Sequence, residues 1–159
     1  MKELIRRFKW NWVDFWQLER WERKFFLQAI ILIPVISFAL RFVSFKRIYL
    51  SLSRLSSHVK PIKDLNENDA SAYQKEVETI TNLVSKAVWR WIYPSTCLPR
   101  SLTLFWCLRR AGFQAEFYIG VKKSEQVIEA HAWIEYLGKV LNDDPDIRKQ
   151  FAPFEVMHV

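Results

Sequence analysis

Residues 97–121 read CLPRSLTLFWCLRRAGFQAEFYIGV, and the periodicity of this stretch changes at Gly112. Up to that point the apolar residues keep helical spacing, which predicts a helix over Cys97–Ala111. Ser95 or Thr96 offers an N-cap hydroxyl ahead of it. Arg109 and Arg110 lie favourably against the negative end of its dipole, and Gly112 supplies the left-handed stop. Beyond the glycine, Ala115, Phe117, Ile119 and Val121 alternate with polar or mixed partners, which predicts a strand. Lys122–Gln126 read as a charged loop, Ile128–Tyr136 as a second strand, Leu137-Gly138 as a tight turn and Lys139–Asn142 as a third strand. The sheet is therefore expected to be antiparallel. With helices gathered first and strands after, the fold class is α+β, with a helix packed on a small antiparallel sheet.

Upstream, Tyr73, Val77, Ile80, Val84, Val88 and Trp91 step by four and three and predict a helix that stops at Tyr93-Pro94. Pro61 to Ser71 is rich in Asn, Asp and Ser and reads as a loop. Residues 13–57 read as helical: Leu18, Trp21, Phe25 and Ala29 recur at helix spacing, Pro34 ends or kinks that helix, and a second segment covers Ile36–Ser56. The expected organisation is a basic, apolar helical segment over 1–60, a polar linker over 61–72 and a core over 73–159. At 159 residues these make one domain's worth of chain.

Charge is unevenly placed. Residues 1–60 hold 12 Lys/Arg against 4 Asp/Glu, while 61–159 hold 12 against 13, so the net +7 belongs to the N-terminal segment. A solvated helix face is the plainest reading of that excess. No nucleic-acid motif accompanies it, and nucleic acid is not an expected partner. Phe25 to Leu40 is sixteen residues without a charge. A bilayer crossing needs roughly 20 apolar residues, so this run suits a buried or interfacial helix. With two cysteines, ten apart in one helix, no disulfide framework is expected, and a reducing cytoplasm fits. Three glycines in all leave no phosphate-cradling loop.

The residues able to carry chemistry are a thiol, an imidazole and a carboxylate. Cys97 stands at the first turn of its helix, where unpaired backbone N–H groups favour a thiolate and would stabilise an oxyanion. Cys107, mid-helix among Phe105, Trp106 and Leu108, reads as a core thiol. His131 lies in the second strand, on one face with Glu129, Trp133 and Glu135; Trp133 reads as a wall of the site or, more plainly, as core. A two-residue turn at Leu137-Gly138 sets Asp144 directly across from His131, and one extra bulge residue makes it Asp143; hairpin geometry does not choose. His58 and His158 have no partner pattern. Cys97, Cys107, His131 and Asp143 lack the close ligand pairs of a zinc site, so neither metal nor cofactor is expected.

The stretch just quoted, followed by EAHAWIEYLGKVLNDDPDIRKQFAPF, resembles the lasso peptide leader peptidases, the protease half of the split lasso-peptide B proteins. The likeness covers residues 97–154: Cys-Leu-x-Arg-Ser-Leu, the Arg-Arg-x-Gly helix end, Ala-His-Ala-Trp-x-Glu, and Asn-Asp after the turn. It extends more loosely over the N-terminal helices. It implies a transglutaminase-like, papain-related core and a catalytic triad of Cys97, His131 and Asp143, favouring Asp143 over Asp144. The implied activity is cleavage of the leader from a ribosomally made lasso precursor before macrolactam closure. The implied partners are the precursor's leader region, a separate leader-recognition protein and an ATP-dependent cyclase. Residues 1–24, heavy in Trp and Arg, exceed the family's usual start; a docking element and a peripheral membrane contact are the two expectations for them. An acyl transferase on the same fold, or a membrane-associated scaffold without catalysis, are the alternatives.

Overall fold

The computed structural model describes residues 12–56, 67–90, 97–123 and 128–157. In chain order these form α1 (Trp12–Gln17), α2 (Arg20–Ala39), α3 (Phe45–Ser56), α4 (Glu67–Arg90) and α5 (Cys97–Arg110), then β1 (Glu116–Lys123), β2 (Ile128–Tyr136) and β3 (Lys139–Val140), and last α6 (Ile147–Gln150) and β4 (Ala152–Met157). The strands lie in the order β3-β2-β1-β4, every neighbouring pair antiparallel. The architecture is α+β, a helical N-terminal part on a small antiparallel sheet.

The helix α5 is the hub. Leu102, Leu104, Phe105, Cys107 and Leu108 are all fully buried, as are Ser101 and Thr103. A helix that is apolar nearly all round has to be enclosed on every side. α2, α4, α3 and the sheet do this: Ile33 of α2, Val84 of α4, Tyr49 of α3 and Phe117 of β1 share one core with it. Tyr49 stacks on Phe105 with ring centroids 5.1 Å apart. Each such side chain contributes about 1.5–3 kcal/mol by leaving water. α5 ends as its sequence demands. Gly112 has φ of +96°, Phe113 N–H donates to Leu108 O at 3.0 Å, and Gly112 N–H donates to Arg109 O at 3.1 Å. This is a Schellman stop, which satisfies two of the helix's last carbonyls.

The two faces of the sheet differ. Phe117, Ile119, Ala132 and Ile134 point to the helices. Tyr118, Gly120, His131, Trp133 and Glu135 point the other way by the two-residue period, and Tyr118, Trp133 and Ile147 make a second, smaller cluster there.

Four local expectations are corrected. α2 runs through Pro34 rather than ending there, because Phe25, Phe26, Ala29, Ile33 and Ile36 are buried on both sides of it and tertiary packing outweighs one lost backbone bond. The following helix accordingly begins at Phe45, after a turn at 40–44, and not at Ile36. The expected linker over 61–72 is helical from Glu67 onward; Glu67 and Asp69 are residues that favour a helix N-terminus, so their polarity marked a start and not a loop. β1 extends through Lys123, into the expected charged loop. Ser95, Thr96, Trp91, Tyr93-Pro94, His58, His158 and residues 1–11 lie outside the described residues.

Candidate active site

β2 presents His131 half-buried on the outer face of the sheet, directly across from Gly120 of β1. The glycine is required there. A Cβ built on it would come within 2.7 Å of the Trp133 ring and 2.9 Å of Phe151 Cβ. Phe151 closes over the imidazole, ring centroids 5.1 Å apart and tilted by 31°. The histidine is therefore walled by an aromatic ring and by a strand too bare to crowd it.

Asp143 completes the pair: its Oδ2 lies 2.7 Å from His131 Nε2. Its other oxygen, Oδ1, accepts from Asp144 N–H at 3.0 Å, which fixes the carboxylate plane. Asp144 turns elsewhere, accepting from Asp146 N–H at 2.8 Å, and its side chain is exposed. The choice left open by hairpin spacing thus falls on Asp143. The β2–β3 ladder follows a two-residue turn with Leu137 and Gly138 both at positive φ, but its pairing stops at Val140. Beyond it Leu141 N–H still donates to Ile134 O at 3.0 Å, while the return bond goes to the Asn142 side chain, its Oδ1 accepting from Ile134 N–H at 2.8 Å. Asp143 follows directly on that anchored residue and reaches the histidine.

Since Nε2–H donates to the carboxylate, the ring's lone pair is left at Nδ1, the nitrogen free to take a proton. The tautomer is set by the hydrogen-bond network.

Cys97 is the first residue of α5 and is half-buried. Two contacts tie the head of its helix to the His–Asp pair. Ser101, one turn on, donates to the carbonyl of Ala132, the neighbour of His131, at 2.8 Å. Arg100, within the first turn, brings a guanidinium nitrogen to 3.9 Å from Asp143 Oδ2. A helical turn is about 5.4 Å of rise, so the helix start and the His131 end of β2 are neighbours. The backbone N–H groups of that start, which no carbonyl of the helix itself can reach, carry partial positive charge, and Arg100 adds a full one. Cys107 is different in kind. It is fully buried in the core, and burial pushes its thiol up to about 12.

Three residues here were not singled out from sequence. Asn142 and Ser101 are buried and bonded to each other, Asn142 Nδ2 donating to Ser101 Oγ at 2.8 Å. Phe151 covers the imidazole. A fourth feature holds the outer face together: Glu135 is fully buried, yet it accepts from Trp133 Nε1 at 2.7 Å and from Arg148 Nε at 2.7 Å. Arg148 in turn lies 4.8 Å over the Tyr118 ring. Asn142 at one end and Arg148 at the other thus pin the segment that carries Asp143. Trp133, expected as core, is fully buried in the outer cluster. Among the described residues no group of three or more His, Cys, Asp or Glu is placed to hold a metal ion.

A family model described as the transglutaminase-like superfamily matches residues 39–156, a span that includes Cys97, His131 and Asp143. No curated protein and no solved structure matches the chain.

Proposed function

The chain belongs to the transglutaminase-like superfamily, a grouping of cysteine proteases and acyl transferases on a papain-like core, and from that premise we propose that it is a cysteine endopeptidase removing the leader from a lasso peptide precursor. The observation that carries this is the 2.7 Å contact of Asp143 with His131 Nε2, which leaves Nδ1 as the base. Cys97 gives its thiol proton to His131 Nδ1, and the sulfur attacks the carbonyl carbon of the scissile amide. The carbonyl π-electrons move to oxygen, and N–H groups at the start of α5 bind the oxyanion. His131 then returns the proton to the departing amine, which leaves as the core peptide's new amino terminus. The leader remains as a thioester on Cys97. Water, deprotonated by the same imidazole, releases it as a carboxylic acid and restores the thiol. Asp143 holds the ring and stabilises the imidazolium.

The resemblance over residues 97–154 selects the substrate class within the superfamily. It also supplies the partners: a separate leader-recognition protein that presents the precursor, and an ATP-dependent cyclase that closes the freed amine on a side-chain carboxylate. The proposed setting is the cytoplasm. The excess of basic residues over 1–60 suits a leader–partner complex of acidic character. Binding that weakens as salt rises supports this, and binding indifferent to salt removes it.

The test is to incubate the protein with the precursor and the leader-binding protein and read product masses. Free core plus a leader carboxylic acid is the expected result. A leader joined to an amine would establish the acyl transferase reading that the same superfamily admits, and an intact precursor would remove both.

A further inference from the structure

The outer face of α2 has no covering element among the described residues. Along it Leu27, Ile31, Val35 and Phe38 recur at steps of four, four and three, and Phe42 in the following turn continues the row. All five side chains are exposed, Ile31 by 62% and Phe42 by 73%. The opposite face of the same helix, through Phe26, Ala29 and Ile33, is buried in the core. A helix apolar on both faces is not a normal protein–water boundary. Contiguous exposed apolar rows mark a surface that something else covers. From Leu27 to Phe42 the row is about 22 Å long.

Charge identifies what covers it. Arg20 and Lys24 continue the same row toward the N-terminus, again at steps of four and three, and both are exposed. Past the other end come Arg41, Lys46 and Arg47, exposed as well. Glu19 is the exposed carboxylate near the start, and it is engaged by Trp21 Nε1 at 2.7 Å. Between Phe25 and Leu40 no charge interrupts the helix. Protein interfaces carry polar rims of both signs, whereas this row is bracketed by cations at each end. No helix of the described residues is long and apolar enough to cross a membrane. A helix with an apolar outer stripe and basic ends lies in the plane of an anionic lipid surface, its stripe among the upper acyl chains and its cations at the phosphates.

We propose that the outer face of α2 and the cations after it, Arg41 in the turn and Lys46 and Arg47 at the start of α3, dock this protein on anionic membranes as a peripheral protein. The proposal does not rest on the chemistry assigned to Cys97. It places precursor processing beside a lipid surface if both hold.

The experiment is sedimentation of the full chain with vesicles of phosphatidylcholine alone, or of phosphatidylcholine containing phosphatidylserine. Measurements at about 0.1 M and 1 M salt span screening lengths of about 10 and 3 Å. Binding at least tenfold tighter to the anionic vesicles, and weaker at high salt, is expected. Ile31→Ser/Phe38→Ser/Phe42→Ser should abolish it. Arg41→Gln/Lys46→Gln/Arg47→Gln should weaken it about a hundredfold, at roughly fivefold per cation. Thermal melting establishes that each variant is folded. Should the serine triple not fold, Phe42→Ser alone, outside the helix, is read in its place. Equal binding to neutral vesicles, no binding to anionic ones, or wild-type binding by the folded stripe variant overturns the proposal. So does stripe-dependent self-association, or stripe-dependent capture of the leader-recognition protein, in a chain that ignores lipid.

Discussion

Asn142 Nδ2 donates to Ser101 Oγ across 2.8 Å, joining the loop just before Asp143 to the helix that starts at Cys97. The same hydroxyl donates to Ala132 O, and the same amide accepts from Ile134 N–H. One buried network therefore links the three elements that carry the thiol, the imidazole and the carboxylate.

Asn142→Ala leaves the buried Ile134 N–H without its acceptor and costs about 1–3 kcal/mol of stability. Because the amide bonds to none of the three proposed catalytic side chains, KM for a lasso precursor should stay within about twofold while kcat falls tenfold or more, as expected of lost positioning. Ser101→Ala should act in the same direction. Equal losses in kcat and in the fraction of folded protein would reduce the network to a structural role.

Asp143→Asn removes the charge that stabilises the imidazolium, and kcat/KM should drop by roughly a hundredfold or more. Asp144→Asn should stay within about threefold, because Asp144 is engaged with Asp146 N–H at 2.8 Å and not with the ring. A cleavage assay of the two variants side by side decides it; equal effects would leave neither as the orienting group.

Gly120→Ala drives a methyl group to 2.7 Å from the Trp133 ring and 2.9 Å from Phe151 Cβ. Overpacking of this kind costs about 1–3 kcal/mol. Displacement of Phe151 should also uncover His131. Thermal melting and cleavage rate should fall together, and an unchanged melting curve would show that the outer cluster yields more readily than its packing implies.

The region above pH 9 tests the core. Burial raises Cys107 from an ordinary 9.0 to about 12 and Tyr49 from 10.0 to about 12. In the folded state both keep their protons where the unfolded chain loses them, so the native state binds more protons and stability falls as pH rises from about 9 toward 12. Each such group adds a slope of about 1.4 kcal/mol per pH unit within its window. Cys107→Ala should flatten the lower part of that slope and retain activity, whereas Cys97→Ala should abolish activity. Denaturation at pH 8, 9, 10 and 11 measures the slope; a flat profile would place Cys107 in contact with water.

The switch of period at Gly112 was legible because it is local. A helical stripe, a left-handed stop and an alternating strand are all written within about two dozen residues. β2 and its Leu137-Gly138 turn were legible for the same reason, and hence so was a carboxylate beside His131. Which carboxylate was not legible from spacing. The two-residue register points to Asp144, but regular pairing stops at Val140, one bond of the next rung goes to the Asn142 side chain, and the contact falls on Asp143. Contacts such as Asn142 with Ser101 and Arg148 with Glu135 join distant or separately folded elements, and no periodicity encodes them. Pro34 does not end α2 because propensity is a local preference that a buried face outweighs. β4 is not legible in the sequence because its Pro153 demotes a short run from strand status, although an edge strand tolerates proline.

The central claim, that the Cys97 sulfur carries the leader as a thioester, is tested by rapid acid quenching of the protein mixed with precursor and leader-binding protein, followed by intact-mass measurement. An adduct on Cys97 equal to the leader acid less one water is expected, formed at the rate of cleavage and absent, with cleavage itself, from Cys97→Ala. Cleavage by Cys97→Ala at the wild-type rate would contradict it.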